Sequence, residues 1–215
     1  MAKYEKNPLK IRKKYTQFVS DELNLAHLSE LEQKVAIQMV QASGDLSILE
    51  SLRFSEDVID KALEILDDDF ELLCDAENVI CGVKQKYLKE EPICLIKKAS
   101  VISQAKSNKQ TRSMTAIDAW KPYLSGSIIL IGNEPTALFR LLEIIKECDE
   151  EDRPALIIAA PAGFVDASNA KQELWKKHQK LKVSCITLLG SAGGSDVTAA
   201  ALNALLRIQS GLRKG

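Results

Sequence analysis

With 215 residues, 46% of them hydrophobic, the chain is long enough to build one continuous core, and a single domain over residues 1–215 is expected. Lys and Arg number 29 against 30 Asp and Glu, a formal net charge of -1, so no global field draws the chain to a polyanion and nucleic acid is not an expected partner. Met1-Ala2-Lys3-Tyr4-Glu5-Lys6 lacks the apolar centre of a signal peptide, and no apolar run nears the ~20 residues of a membrane helix, so a cytoplasmic protein without membrane contact is expected.

Taken in order, about residues 9–68 read as an N-terminal helical extension. Leu28, Leu31, Val35, Ile37, Met39 and Val40 form an apolar stripe, Ser29-x-x-Glu32 supplies a capping box just before it, and Gly44 is the expected stop. A second helix is expected from Ser55, as its cap, to about Asp67, with Val58, Ile59, Ala62, Leu63 and Leu66 on one face and a turn at Asp67-Asp68-Asp69. Five apolar segments follow, at 70–74, 93–96, 128–131, 156–160 and 183–189, and they read as buried parallel strands separated by helical sequence. Residues 106–110 read as a polar loop, and a helix is expected from Ser113 to Trp120. Parallel strands need crossovers of a dozen or more residues, so the expected fold is α/β: a three-layer α/β/α sandwich with a five-stranded, mainly parallel, flavodoxin-like sheet plus N-terminal helices.

Cys74, Cys81, Cys94, Cys148 and Cys185 are odd in number, contain no Cys-x-x-Cys pair and read as reduced core residues. The histidines, His27 and His178, lie in polar sequence far from any cysteine, so both are expected at the surface and no metal site is expected.

The candidate site is the edge formed by the strand ends. There lie Asp75, Gly132-Asn133, Pro161-Ala162-Gly163-Phe164 and Gly190-Ser191-Ala192-Gly193-Gly194-Ser195. Glycines at such places let backbone N–H groups approach a ligand, or simply turn the chain. Gly193-Gly194-Ser195 opens an Ala-rich helical run but carries no Gly-Lys-Ser/Thr, and no Gly-x-Gly-x-x-Gly is present, so phosphate or nucleotide binding there would rest on the glycine turn alone.

Read together, Thr111-Arg112-Ser113-Met114, Gly132-Asn133-x-Pro135-Thr136-Ala137-Leu138-Phe139, Pro161-x-Gly163-Phe164-Val165 and Leu189-Gly190-x-x-Gly193-Gly194-Ser195 form an ordered set. With Met39-Val40-x-Ala42-x-Gly44, Phe54-Ser55 and Leu73-Cys74-Asp75-Ala76-Glu77, the set resembles the precorrin-8X methylmutase (precorrin isomerase) family of corrin-ring biosynthesis, over about residues 11–206. The resemblance implies a cofactor-free, homodimeric isomerase of cobalamin biosynthesis that moves a methyl group between neighbouring ring carbons. It converts precorrin-8X to hydrogenobyrinic acid, or the cobalt form to cobyrinic acid. The tetrapyrrole substrate carries many carboxylates, so Arg side chains and helix N-termini are expected to recognise it.

Substrate contacts are expected at Tyr15, Ser43, Asp75, Thr111, Arg112 and Ser113, and at Asn133, Gly163, Ser191, Gly193, Gly194 and Ser195. Gln41 stands where the family carries the histidine assigned to proton donation, and an amide has no proton to surrender near neutral pH. The alternative is therefore a catalytically impaired paralogue that binds a corrinoid without turnover. Tyr15 stands where the family commonly has a small Ser, Ser191-Ala192 replaces a motif that usually begins with Arg, and Glu134 adds a negative charge where Ala is usual. Arg112 reads as a carboxylate contact or a helix-start ion pair, and Arg140 as a packing or surface ion-pair residue.

Overall fold

A computed structural model describes residues 4–212. Helix α1 (Pro8–Glu22) starts at Asn7, whose Oδ1 accepts from the N–H groups of Leu9 and Lys10. In α2 (Glu30–Ser43) the expected capping box is complete: Ser29 Oγ accepts from Glu32 N at 3.3 Å, and the Glu32 carboxylate accepts from Ser29 N at 2.8 Å. Gly44 ends this helix in the left-handed region, φ 67°. The remaining elements are α3 (Ile48–Ser51), β1 (Leu52–Phe54), α4 (Val58–Asp67), β2 (Leu72–Cys74), α5 (Glu77–Gly82), α6 (Ala99–Asn108), α7 (Arg112–Asp118), β3 (Ile128–Ile131), α8 (Pro135–Glu147), β4 (Leu156–Ala159), α9 (Ala167–Leu181), β5 (Ser184–Leu188) and α10 (Ser195–Leu212).

The sheet has five strands in the order β1-β5-β4-β3-β2. Strands β2 to β5 are parallel, with Leu72, Ile128, Leu156 and Ser184 level across them, and β1 runs antiparallel beside β5. Because the parallel strands succeed one another without reversal, their crossovers lie on one face, where Ile129, Ile131, Ile157 and Cys185 meet Val101, Ile117, Leu138 and Leu174 of α6 to α9. Alternate residues Ile128, Leu130, Ile158 and Ile186 point the other way, into a core with Met39 of α2, Ala62 of α4, Val79 of α5 and Leu205 of α10. The N-terminal helices together with α10 thus form the second helical layer of the sandwich. No helix among the described residues is long and apolar enough to cross a membrane.

Four local expectations are corrected. Residues 93–96 are no strand: Ile93 makes one bridge to Leu73 and the chain then turns away, covering the outer edge of β2. The fifth strand is β1, within the segment read as helical. Ser55 does not cap α4, which is preceded by Asp57 at φ 54°; its Oγ instead accepts from Cys185 N at 2.8 Å and pins the sheet edge. Residues 106–108 continue α6, which closes at Lys109 in the left-handed region.

Candidate active site

The strand ends are tied together from below by Asp75. This side chain leaves the end of β2 fully buried, and its carboxylate accepts from Gly132 N (3.0 Å), Asn133 N (3.0 Å) and Glu134 N (2.9 Å), the whole turn between β3 and α8. Burial pushes its pKa up to about 6 against the pull of those three N–H groups. Gly132 is needed there because α10 passes close: a Cβ would lie 2.9 Å from Ser195 Cα and from Thr198 Oγ1. The next two loops interlock, with Gly194 N donating to Ala160 O at 2.7 Å and Gly163 N to Ser191 O at 3.0 Å.

Above this base opens a cleft of about 690 Å³ between Ala42, Ser43 and Asp45 on one side and Asn133, Gly193, Gly194 and Ser195 on the other. Ser43 Oγ accepts from Asp45 N at 3.0 Å and has Val40 O (2.9 Å) and Asp45 O (3.1 Å) within reach of its single proton, so this hydroxyl closes α2 while facing the cleft. Asn133 is exposed, with Oδ1 3.4 Å from Asn78 Nδ2. The cleft runs into a smaller cavity of about 270 Å³ lined by Gln38, Gln41 and Lys84, through the shared walls Ala42 and Asp196.

Of the expected contacts, Ser43, Asn133, Gly193, Gly194 and Ser195 converge on the cleft, Gln41 on the adjoining cavity, and Asp75 lies beneath. Gly163 and Ser191 meet at the rim through their mutual hydrogen bond. Four others stand outside the walls of either cavity. Tyr15 on α1 packs against the apolar core, and burial raises its phenol pKa. Thr111 caps α7 through Met114 N (3.1 Å) and touches Thr136 Oγ1 (2.8 Å), while buried Ser113 reaches Asp75 O at 3.5 Å. Arg112 is exposed, and no ion pair involves it among the described residues. Arg140 is the expected ion-pair residue, at 2.7 Å from both Asp118 and Glu143.

His178 is a correction: it is buried, its Nδ1 lies 2.6 Å from Trp175 O, and its ring stacks on Trp175 at 4.7 Å. It belongs to the inward stripe of α9, Ala167, Ala170, Lys171, Leu174, His178 and Leu181. The cysteines are corrected in part, since only Cys74 and Cys185 are buried and Cys81 is exposed. Among the described residues no group of three or more His, Cys, Asp or Glu side chains is placed to hold a metal ion.

The same stripe exposes a residue that the sequence reading passed over. Lys171 has no exposed surface, and its Nζ donates at 2.5 Å to the carbonyl of Ala192, which lines the cleft. Its position three and four residues from Leu174 and Ala167, on an otherwise apolar face, is the signal that could have found it. Burial pulls its pKa down to about 8. Between that value and ~10.4 in the unfolded chain, only the unfolded state holds the proton, so stability rises with pH across this window. In denaturant titrations the wild type should therefore gain up to about 3 kcal/mol on a Lys171→Met variant between pH 7 and 10.5. Parallel pH profiles would contradict a lysine whose burial favours its neutral form.

Comparison with known proteins adds to this geometry. The family model described as precorrin-8X methylmutase matches residues 10–208. A precorrin-8X methylmutase from Sinorhizobium sp is 37% identical over 188 residues, 86% of this chain and 88% of that protein. A cobalt-precorrin-8 methylmutase from Priestia megaterium is 31% identical over 201 residues, 92% of this chain and 87% of that protein. The solved structure of a precorrin-8X methyl mutase from Thermus thermophilus superposes with a TM-score of 0.82 at 30% identity, covering 94% of this chain and 96% of that one.

Proposed function

The chain belongs to the precorrin-8X methylmutase family, isomerases of cobalamin biosynthesis, and we propose that its cleft holds a tetrapyrrole acid during intramolecular methyl migration. The reaction converts precorrin-8X to hydrogenobyrinic acid or the cobalt form to cobyrinic acid. The observation that carries this reading is the convergence of Ser43, Asn133 and Gly193 to Ser195, from three distant parts of the chain, around one cleft of about 690 Å³ at the strand ends.

Such a rearrangement asks for a fixed ring geometry, exclusion of water and a proton at the reorganising π-system. The wall formed by Gly193, Gly194 and Ser195 lets backbone approach the ring, and the N-terminal turn of α10 favours its carboxylates. Gln41, exposed and accepting from Gln38 Nε2 at 3.2 Å, supplies hydrogen bonds to the ligand but no proton. On this reading the proton comes from water or the substrate itself, and positioning carries most of the rate. Phe164, fully exposed, and Val165, 77% exposed, beside the rim support the homodimer implied by the resemblance.

Following the absorbance of the ring with precorrin-8X and, separately, its cobalt form tests the proposal. Turnover of one is expected, and turnover of neither contradicts it. Binding of hydrogenobyrinic acid without turnover would instead make the chain a carrier. A Gln41→His variant is expected to run about 10²-fold or more faster, the usual range for an added general acid. An unchanged rate would remove proton supply at position 41 as the limiting feature.

A further inference from the structure

The groove continues beyond Gln41 along the seam of α2 and α10. Its middle cavity shares Gln38 and Arg207 with a third, of about 390 Å³, that reaches Arg12 and Lys34. At 1.5 Å per residue, Arg207 lies roughly 16 Å along α10 from Asp196 at the cleft.

Cations gather at this far end without acids to meet them. None of Lys84, Arg207 and Arg12 takes part in an ion pair among the described residues, and the hydrogen bond of Arg207 Nη1 goes to a neutral acceptor, Gln38 Oε1, at 2.9 Å. Burial is the largest cause lowering the pKa of both Arg207 and Lys84, and Arg12 lowers both further. Lys84 also feels Arg207 and Lys86, while Tyr87 acts in the opposite sense on both. The one carboxylate lining the middle cavity, Asp196, pairs with neither cation. The placement is fixed: Asn203 Oδ1 accepts from Lys84 N and its Nδ2 donates to Gly82 O, both at 2.8 Å, and Arg207 follows Asn203 by one helical turn. Like charges held together and partly desolvated raise the free energy of the empty protein, and an anion between them lowers it.

We propose that Lys84 and Arg207, with Arg12 behind them, form a carboxylate subsite that grips a peripheral acid side chain of the tetrapyrrole at the end of the groove opposite the glycine loop. This rests on the tetrapyrrole reading and deepens it. Residues 189–195 contain no cation, so the charge absent from the loop after β5 is supplied across the groove by Arg207 of α10 and by Lys84, two residues beyond α5.

The test compares the wild type, a Lys84→Gln/Arg207→Gln double variant and a control, Lys180→Gln, on the exposed side of α9. Hydrogenobyrinic acid binding and the KM and kcat for precorrin-8X are read at low and high salt. The double variant should bind about tenfold or more weaker at low salt and lose most of its salt dependence, with kcat little changed and the control like wild type. Equal affinity and salt dependence in wild type and double variant overturn the subsite while leaving the function intact. Wild type that binds no corrinoid overturns the tetrapyrrole reading, and the subsite with it. Should the double variant fail to fold, Lys84→Gln alone, whose side chain is exposed, gives the same comparison with a smaller loss.

Discussion

An Asp75→Ala variant is expected to lose about 3 kcal/mol of stability or more and to bind corrinoid at least 10²-fold more weakly. Three backbone N–H groups of one turn end on this carboxylate, and alanine leaves all three without an acceptor. Each stranded donor costs about 1–3 kcal/mol when buried. Gly132 is buried and bears the full penalty, whereas Asn133 is exposed and Glu134 half-buried, so water recovers part of theirs. The functional loss follows because the freed turn carries Asn133 into the cleft and starts α8. Asp75→Asn should fall between: its amide oxygen still accepts, but its NH₂ faces a backbone N–H. Denaturant titration and hydrogenobyrinic acid binding check the series. An alanine variant as stable as wild type would show that the turn holds its shape without the carboxylate.

Gly193→Ala is the second large effect, again several kcal/mol, with about a 10²-fold fall in kcat/KM. Its φ of 144° disfavours any side chain, and a Cβ would meet the Ala160 carbonyl oxygen at 2.1 Å and its carbon at 2.9 Å. Backbone cannot swing aside as a long side chain can, so the loop itself must move, breaking the bond from Gly194 N to Ala160 O. Gly194 provides the comparison: its φ is 123°, but nothing lies within 4 Å of an added Cβ. Gly194→Ala should therefore carry only the backbone penalty, about 1–3 kcal/mol. Melting temperatures and ring-absorbance kinetics of the pair decide it, and the reverse order of severity would contradict the loop geometry.

The parts of the fold written in local chemistry were legible. Ser29, Glu32 and Gly44 mark the ends of the fourteen-residue α2, and Pro135 opens α8 directly after the turn from Gly132 to Glu134. What escaped depends on partners distant in sequence. Leu52-Arg53-Phe54 is too short to declare itself a strand, and becomes one only by pairing with Ile186 to Leu188. Residues 93–96 show the converse, an apolar run that Ile93 anchors at one bridge before Leu95 and Ile96 turn into the core. In the site, spacing named the loops but not the direction of each side chain. Arg112 heads α7 and faces outward, while Lys84, in a stretch that drew no notice, lines the groove beside Gln41. His178 was read by polarity and Lys171 drew no notice, yet the helical period of α9 turns both inward.

The central claim is that the macrocycle sits at the carboxyl ends of the parallel strands. A crystal structure of the protein with hydrogenobyrinic acid tests it most directly. The ring should lie between Ser43 and Asp45 on one side and Gly193 to Ser195 on the other, with an acid side chain against Arg207 and Lys84. A corrinoid bound elsewhere on the molecule, with this cleft empty, would contradict the account.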